Sequence, residues 1–270
     1  MPIVSAFLVP GNPLPLLKDD NPPWAGLAKA ARAAGSALIE SRPDVLLIYS
    51  TQWIAVLDEL WQTRPHSTGI HVDENWYEYG DLQMNLRADT ALAQSCITAA
   101  TDAGIRSRAV DYDGFPIDTG TIVANSFLNP DGRIPAVVAA NNLYHDFAKT
   151  EALGRIAAEQ AELQGKRAAV IAVGGLSGSY FDHEIDIATD HIVSDKDDAA
   201  NRALLEALAG GSANGLRDRI ADFAGAAKGD MRMKHLGWLL GATGGFTGAK
   251  LLGYGATYGA GAAVVEFQLS

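Results

Sequence analysis

The stretch Arg167–Gly178, RAAVIAVGGLSG, decides the fold class. Its first part, Arg167–Val173, is a continuous apolar run that is typical of a buried strand. The run leads directly into Gly174, Gly175 and Gly178, and such a glycine-rich turn allows backbone conformations that strain other residues. The stretch therefore predicts a buried strand with a glycine-rich loop at its carboxyl end.

Two similar apolar runs lie earlier in the chain. Ile3–Val9 precedes Pro-Gly-Asn-Pro, and Asp44–Tyr49 follows the alanine-rich segment Trp24–Ser41, whose leucines and isoleucine have helical spacing. These segments predict a strand–helix–strand unit. Further helices are predicted over residues 87–103, 147–164, 197–209, 214–226 and 231–242, and further strands over 106–110, 134–139 and 262–269. The alternation predicts an α/β fold with a central mixed β-sheet flanked by helices.

Composition limits the domain organisation and the kinds of partner. No repeat or low-complexity linker divides the sequence, so residues 1–270 are expected to form a single domain. The net charge of -11 argues against nucleic acid or an anionic membrane surface as a partner, because both would be repelled. Leu236–Val265 is the most apolar region, but its many glycines and Lys250 argue against a membrane span. One cysteine, Cys96, and the absence of a targeting pattern favour a cytoplasmic protein.

Clusters of polar residues give ambiguous indications of chemistry. His66, His71, Asp73 and Glu74 form the densest group of potential metal ligands, but they lie in a segment without helical or strand periodicity, which favours exposed loop polarity. The acidic and imidazole side chains within Asp182–His191 fit proton transfer and a solvated surface equally well. The glycine-rich turn lacks P-loop and dinucleotide patterns, and no serine has a G-x-S-x-G setting, so nucleotide binding and serine hydrolysis are not predicted.

Three loops at the carboxyl ends of predicted strands are expected to meet at one crevice, because parallel strands end at the same edge of a sheet. These loops contain residues 10–15, 50–53 and 174–178. They offer neutral side chains, namely Asn12, Thr51, Gln52 and Ser177. Amides and hydroxyls can hold an organic ligand, but they bind iron, zinc or magnesium poorly without an anionic or imidazole ligand.

The same loops, with a late helix, resemble the type II extradiol dioxygenases, the superfamily that contains protocatechuate 4,5-dioxygenase. The resemblance covers nearly the whole chain. Its motifs are Val9-Pro10-Gly11-Asn12-Pro13, Ser50-Thr51-Gln52-Trp53, Asp118-Thr119-Gly120, Gly175-Leu176-Ser177-Gly178 and Lys234-His235-Leu236-Gly237-Trp238. In catalytic members of the superfamily, two histidines and a glutamate hold ferrous iron, and two further histidines act on the substrate and oxygen.

The resemblance implies that all of these functional positions are changed in the present chain. Asn12 and Gln52 stand at the positions of the ligand histidines, and Lys234 stands at that of the ligand glutamate. Thr119 and Gly178 stand at the positions of the catalytic histidines. A site without imidazole and carboxylate ligands is not expected to bind ferrous iron. The chain itself is therefore expected to hold no metal or other cofactor and to have no catalytic residues of this type.

Heteromeric members of the superfamily pair a catalytic β subunit with a homologous α subunit that lacks the metal ligands, and this chain resembles such an α subunit. The resemblance implies an inactive structural subunit of an α2β2 assembly, whose β partner holds Fe(II) and opens an aminophenol or catechol ring with molecular oxygen. Two alternatives remain open. One is a free-standing small-molecule binding or regulatory protein that uses the crevice. The other is an enzyme with a relocated metal site built from His66, His71 and Asp73 or Glu74.

Two structural expectations concern the aromatic residues and the lysine at the ligand position. The rings between Trp53 and Tyr79 are expected to lie at a subunit interface, where tryptophan and tyrosine are enriched. Lys234 is expected to place its ammonium group in the place of the metal, within hydrogen-bonding distance of the Asn12 and Gln52 side chains or joined to them through one water. The alternative for Lys234 is that its flexible stem carries the charge out to solvent.

Overall fold

The chain forms ten strands and eight α-helices within the residues that the computed structural model describes, 3–213 and 215–269. The strands are β1 (Ile3–Val9), β2 (Val45–Ala55), β3 (Glu59–Gln62), β4 (His66–His71), β5 (Leu82–Arg87), β6 (Ser107–Val110), β7 (Ala136–Asn142), β8 (Ala168–Val173), β9 (Gly248–Thr257) and β10 (Ala260–Gln268). The helices are α1 (Leu14–Leu17), α2 (Pro22–Glu40), α3 (Thr90–Asp102), α4 (Thr119–Leu128), α5 (Phe147–Leu163), α6 (Asp195–Ala209), α7 (Leu216–Ala226) and α8 (Lys234–Thr243). Short 3-10 helices cover Tyr77–Tyr79, Ile187–Thr189 and Asp230–Met233.

Eight of the strands form one mixed sheet in the order β6-β3-β7-β2-β8-β1-β10-β9, and β4 pairs with β5 in a separate hairpin. The strands β7, β2, β8 and β1 are parallel neighbours, whereas β10 is antiparallel to both β1 and β9. This topology confirms the predicted single α/β domain with a central mixed sheet flanked by helices. Of the helices in the described ranges, none has the length and apolar character that a membrane span requires.

The central strand β8 is apolar throughout because helices cover both of its faces. Val170 and Ala172 belong to a core cluster shared with α3, α5 and α8, whereas Ile171 and Val173 belong to a second cluster shared with α2 and α4. Every residue of β8 is buried. Complete burial of a valine or isoleucine side chain contributes about 1.5–3 kcal/mol, so this strand is a major source of stability.

Aspartate side chains begin three of the helices. The carboxylates of Asp89, Asp118 and Asp146 accept hydrogen bonds from backbone amides of α3, α4 and α5 at 3.1, 3.0 and 2.8 Å. Each carboxylate satisfies an amide that has no partner in the first helical turn. Helix α4 was not predicted, because nine of its ten residues are buried and a helix without a polar face shows no amphipathic periodicity.

Residues 50–85 and the glycine-rich tail contain more regular structure than the sequence predicts. Strand β2 extends to Ala55, β3 enters the main sheet between β6 and β7, and β4 and β5 form the hairpin. The tail includes β9, an edge strand that lies very close to α2. A Cβ at Gly253 of β9 would be 2.6 Å from the Ala30 Cβ, so glycine is needed for this approach.

Helices α5 and α8 cross at two glycines. A Cβ at Gly241 would lie 1.8 Å from the Glu151 carbonyl oxygen, and one at Gly154 would lie 2.1 Å from the Trp238 carbonyl oxygen. Trp238 is fully buried and stacks on Tyr49 of β2, with ring centroids 5.7 Å apart. The close crossing therefore fixes α8 against both α5 and the sheet.

We expect Gly241→Ala to destabilise the chain by about 1–3 kcal/mol, because the added methyl group overlaps the backbone of α5 and the helices must separate. A lower midpoint in urea denaturation measures the loss. Gly26→Ala in α2 is the matched control, since a Cβ there meets nothing within 4 Å. The free energy of unfolding of this control is expected to rise by roughly 0.5–1 kcal/mol. Equal midpoints for Gly241→Ala and the native chain would contradict the close crossing.

Candidate functional site

The loops that follow β1 and β8 and the end of β2 meet at one crevice, as the sequence predicts. Asn12, Gln52, Ser177 and Gly178 line a common cavity of about 300 Å³. A larger cavity of about 570 Å³ adjoins it and contains Thr119 in its wall. Gln52, Asp230 and Met231 line both cavities, so the two form a continuous crevice.

Among the positions that the resemblance singles out, Asn12, Gln52, Thr119 and Gly178 lie on this crevice. Lys234 is not among the described residues that line either cavity. The structure thus brings four of these positions together and separates the lysine from them.

The β4–β5 hairpin and the loop after β4 bring His71 and Asp73 into the crevice wall. The His71 Nε2 lies 2.9 Å from the Thr119 Oγ1, and the Thr119 hydroxyl donates a hydrogen bond to the Asp73 Oδ2 at 2.6 Å. Asp73 is buried, and its Oδ1 accepts from the Asn75 backbone amide at 2.9 Å. The interpretation of this segment as exposed loop polarity is therefore wrong for Asp73. The error arose because the contacts come from α4, far away in sequence.

The alternative metal site at the hairpin is not supported by the geometry. His66 and His71 stand at opposite ends of the six-residue strand β4, which separates their Cα atoms by about 16 Å at a rise of about 3.3 Å per residue. The His66 Nε2 lies 2.9 Å from the Asn85 Oδ1. Within residues 3–213 and 215–269, no group of three or more His, Cys, Asp or Glu residues could hold a metal ion.

Asp230 brings a carboxylate to the crevice from the segment before α8, outside the three loops, whose own side chains are neutral as the sequence indicates. The Asp230 Oδ2 accepts hydrogen bonds from the Thr51 hydroxyl at 2.7 Å and from the Gly175 amide at 2.8 Å. The carboxylate therefore ties β2 and the loop after β8 to the segment before α8. Asp230 lies 179 residues from Thr51, so no local sequence pattern could have revealed this contact.

The segment after Asp230 is strained. Met231, Arg232 and Met233 have φ values of +41°, +59° and +58°. This left-handed region costs about 1–2 kcal/mol per non-glycine residue. Such strain concentrates at ligand sites and switches, where the surrounding contacts hold it in place. Here the two hydrogen bonds to Asp230 hold the amino-terminal end of the segment.

Lys234 is buried, but it does not lie where the sequence predicts. Its ammonium group donates a hydrogen bond to the Asn142 carbonyl oxygen at 2.7 Å. The Asn12 Oδ1 accepts instead from the Leu14 backbone amide at 3.0 Å. The predicted direct contact with Asn12 and Gln52 is therefore wrong, and so is the alternative of a solvent-exposed charge. The physical reason is that a backbone carbonyl at the end of β7 already satisfies the ammonium group.

Lys234 belongs to a buried polar cluster with Glu59 and His145. Burial raises the pKa of the Glu59 carboxyl group well above its usual range, and the Lys234 charge opposes this shift. Burial also lowers the pKa of Lys234, and Glu59 opposes that shift. The His145 Nδ1 lies 3.1 Å from a Glu59 carboxyl oxygen, and burial lowers the pKa of His145 to about 4. Because none of the three lines the crevice, the cluster is a structural feature of the core.

The donors in the crevice do not fit ferrous iron. Non-haem iron sites use two imidazoles and a carboxylate on one face of the metal. Asn12 and Gln52 provide neutral amides, and the Asp230 carboxylate already accepts two hydrogen bonds. The His71 Nε2 contacts Thr119 in the larger cavity rather than facing Asn12.

The aromatic side chains between Trp53 and Tyr79 are divided between the core and the surface. Trp53 and Trp61 are buried within their own domain, so the predicted interface role is wrong for these two. Trp76 packs edge-on against Tyr258 with ring centroids 4.9 Å apart. Tyr77 is 60% exposed and keeps the predicted interface role as a prediction.

Comparison with known proteins gives the family. A family model described as the catalytic LigB subunit of aromatic ring-opening dioxygenase matches residues 11–265. The chain therefore belongs to the LigB family of aromatic ring-opening dioxygenase subunits. The extradiol dioxygenase resemblance stated from the motifs is confirmed.

Its relatives include both subunits of one enzyme. The 2-aminophenol 1,6-dioxygenase alpha subunit of Pseudomonas sp is 49% identical over 271 residues, which cover 100% of this chain and 100% of the relative. The 2-aminophenol 1,6-dioxygenase beta subunit of Pseudomonas sp is 27% identical over 288 residues, which cover 99% of this chain and 94% of the relative. The 3,4-dihydroxyphenylacetate 2,3-dioxygenase of Escherichia coli is 24% identical over 52% of each chain.

A solved structure shares the fold. The crystal structure of the uncharacterized protein JW3007 from Escherichia coli K12 superimposes with a TM-score of 0.67. The superposition covers 97% of this chain and 99% of that chain, at 15% sequence identity. At this identity the likeness concerns the fold alone.

Arg232→Gly is expected to stabilise the chain by about 1 kcal/mol, because glycine adopts the left-handed conformation without the steric cost that arginine carries. Arg219→Gly in α7 is the matched control and is expected to lose about 1 kcal/mol, since glycine is unfavourable within a helix. Urea denaturation of both variants measures these two opposite changes in the free energy of unfolding. If Arg232→Gly loses as much stability as the control, the segment is not strained.

Lys234→Glu is expected to destabilise the chain by about 3–5 kcal/mol, because it removes the buried cation and adds a second carboxyl group near Glu59. Lys234→Met, which has a similar length and no charge, is the control and should lose less. Guanidinium denaturation compares the three proteins, and metal analysis of Lys234→Glu should find no bound iron. Native stability of Lys234→Glu would contradict the buried cluster.

Proposed function

We propose that this chain is the non-catalytic subunit of a heteromeric ring-cleaving dioxygenase of the 2-aminophenol 1,6-dioxygenase type. In this proposal a homologous catalytic beta subunit holds Fe(II) and opens the ring with molecular oxygen. The observation that carries the proposal is the set of donors in the crevice. Asn12 and Gln52 present amides where the resemblance expects ligand histidines, and Lys234 turns away to the Asn142 carbonyl.

The relatives support the same proposal. The 49% identity to an alpha subunit extends over the full length of both chains, whereas the identity to the beta subunit of the same enzyme is 27%. The family model takes its description from catalytic subunits. The chain belongs to the family, yet its donor set does not fit ferrous iron. Both facts are explained if the fold serves to assemble the complex and not to cleave the ring.

The role of this chain in the proposal is to complete an assembly. Two homologous subunits can pair about a pseudo-twofold axis, because each presents an equivalent surface to the other. A chain that has lost its metal ligands can therefore replace one protomer of an ancestral dimer. The proposal includes an α2β2 stoichiometry and a cytoplasmic location. The latter is consistent with a buried free thiol at Cys96.

The proposal predicts that the purified chain, supplied with ferrous iron and 2-aminophenol, opens no ring above background and retains no stoichiometric iron. Ring opening is followed by the change in ultraviolet absorbance, and iron by elemental analysis. Mixed with the Pseudomonas sp beta subunit, the chain is expected to co-elute in size-exclusion chromatography. The beta subunit alone is the control for both measurements. Turnover or stoichiometric iron in the pure chain, or separate elution of the two subunits, would refute the subunit role.

A further inference from the structure

The larger cavity of the crevice has acidic walls. Asp73, Glu74, Asp118 and Asp230 line it, and none of its described lining residues is lysine or arginine. Charges of one sign in a concave site add their fields and attract ligands of the opposite sign. Lys228 lines the adjoining smaller cavity, so the acidic walls of the larger cavity attract a cation to that part of the crevice.

Aromatic rings form another part of the same wall. Trp53, Trp76 and Phe115 line the cavity. Their orientations are held by neighbours, since the Trp53 and Phe115 centroids are 6.4 Å apart in an edge-on pair and Trp76 packs against Tyr258. The volume of about 570 Å³ is within the range of small-molecule sites. Aromatic faces bind apolar rings, and they also attract organic ammonium groups through the cation–π interaction.

The hydrogen bonds at Thr119 determine which ring nitrogen of His71 can accept a hydrogen bond from a ligand. The Thr119 hydroxyl has one proton, which it donates to Asp73 at 2.6 Å. The Thr119 oxygen must therefore accept the hydrogen bond from the His71 Nε2, 2.9 Å away, so Nε2 carries the proton. In neutral imidazole the other nitrogen, Nδ1, is then an acceptor. Among the hydrogen bonds of residues 3–213 and 215–269, the His71 side chain takes part through its Nε2 and not through its Nδ1.

From these three observations we propose that the cavity binds a ring-bearing alkylammonium ion. The ring packs against Trp53, Trp76 and Phe115, and the ammonium group donates hydrogen bonds to the carboxylates and to the His71 Nδ1. The site is a property of this chain alone and goes beyond its role as a subunit. It needs no metal, and it selects for a charge that 2-aminophenol does not carry at neutral pH, because the nitrogen lone pair of an arylamine is delocalised into the ring.

The test is a calorimetric titration of the native chain at neutral pH and low salt with four probes of similar size, namely benzylamine, benzyl alcohol, benzoate and 2-aminophenol. Benzylamine, which is protonated under these conditions, is expected to bind at least about tenfold more tightly than each of the other three. Its affinity is expected to fall as salt is added, because ions screen the attraction.

Variants locate the site. Asp73→Asn removes a charge but keeps an oxygen that can accept from Thr119, and is expected to weaken benzylamine binding about tenfold. Glu74→Gln, at an exposed position of the cavity wall, is expected to weaken it about threefold. Glu78→Gln is the matched control, since Glu78 is an exposed acid of the same connection that does not line the cavity. Circular dichroism establishes that each variant is folded.

Several results would overturn the proposal. Equal affinity for benzylamine and benzyl alcohol would show that charge does not select the ligand. Tighter binding of 2-aminophenol would identify the cavity as a retained substrate pocket. Absence of saturable benzylamine binding at millimolar concentration would show that the cavity is not a site for such cations. If Asp73→Asn and Glu74→Gln bind benzylamine as the Glu78→Gln control does, the cation binds elsewhere.

Discussion

The burial of β8 on both faces is the constraint on which the rest of the structure depends. Each face of this strand needs a layer of helices, and the parallel neighbours β1 and β2 extend the same apolar surface on either side. Because these three strands are parallel, their carboxyl ends lie at one edge of the sheet. The crevice is therefore a consequence of the topology, whatever side chains line it, and a chain of this family can change its donors without losing the cavity.

The parts of the fold that sequence reasoning predicted are those with a local signal. Strands β1, β2 and β8 are continuous apolar runs, and α2 and α5 have helical periodicity, so burial can be inferred from spacing alone. Helix α4 and strand β9 were missed because their local signals mislead. A helix buried on nearly all sides has no polar face, and Gly253 serves the approach of β9 to Ala30 rather than a turn. The motifs located four positions on the crevice. Asn12, Gln52 and Gly178 follow predicted strands, whereas Thr119 begins α4, which was not predicted, so only its motif indicated the position.

The chemistry of the crevice could not be predicted in the same way, because it depends on contacts between distant segments. Asp73 reaches Thr119 across 46 residues and Asp230 reaches Thr51 across 179 residues. The three loops are neutral, and the carboxylates of the crevice come from other segments of the chain. The direction of a long side chain is equally inaccessible. Lys234 was expected at the crevice, but its ammonium group donates a hydrogen bond to the Asn142 carbonyl at the end of β7.

The burial of Lys234 also bears on which substitutions this chain can tolerate. Two of the positions that the resemblance compares with metal ligands, Lys234 and Asn12, have partners elsewhere in the fold. Glu59 lies in a core that contains the lysine charge, and the Asn12 Oδ1 accepts the first amide hydrogen bond of α1. Substitution of either residue removes a contact of the native chain, so it is expected to lower the free energy of unfolding. The side chains at these two positions therefore have a structural role, whatever ligand the crevice binds.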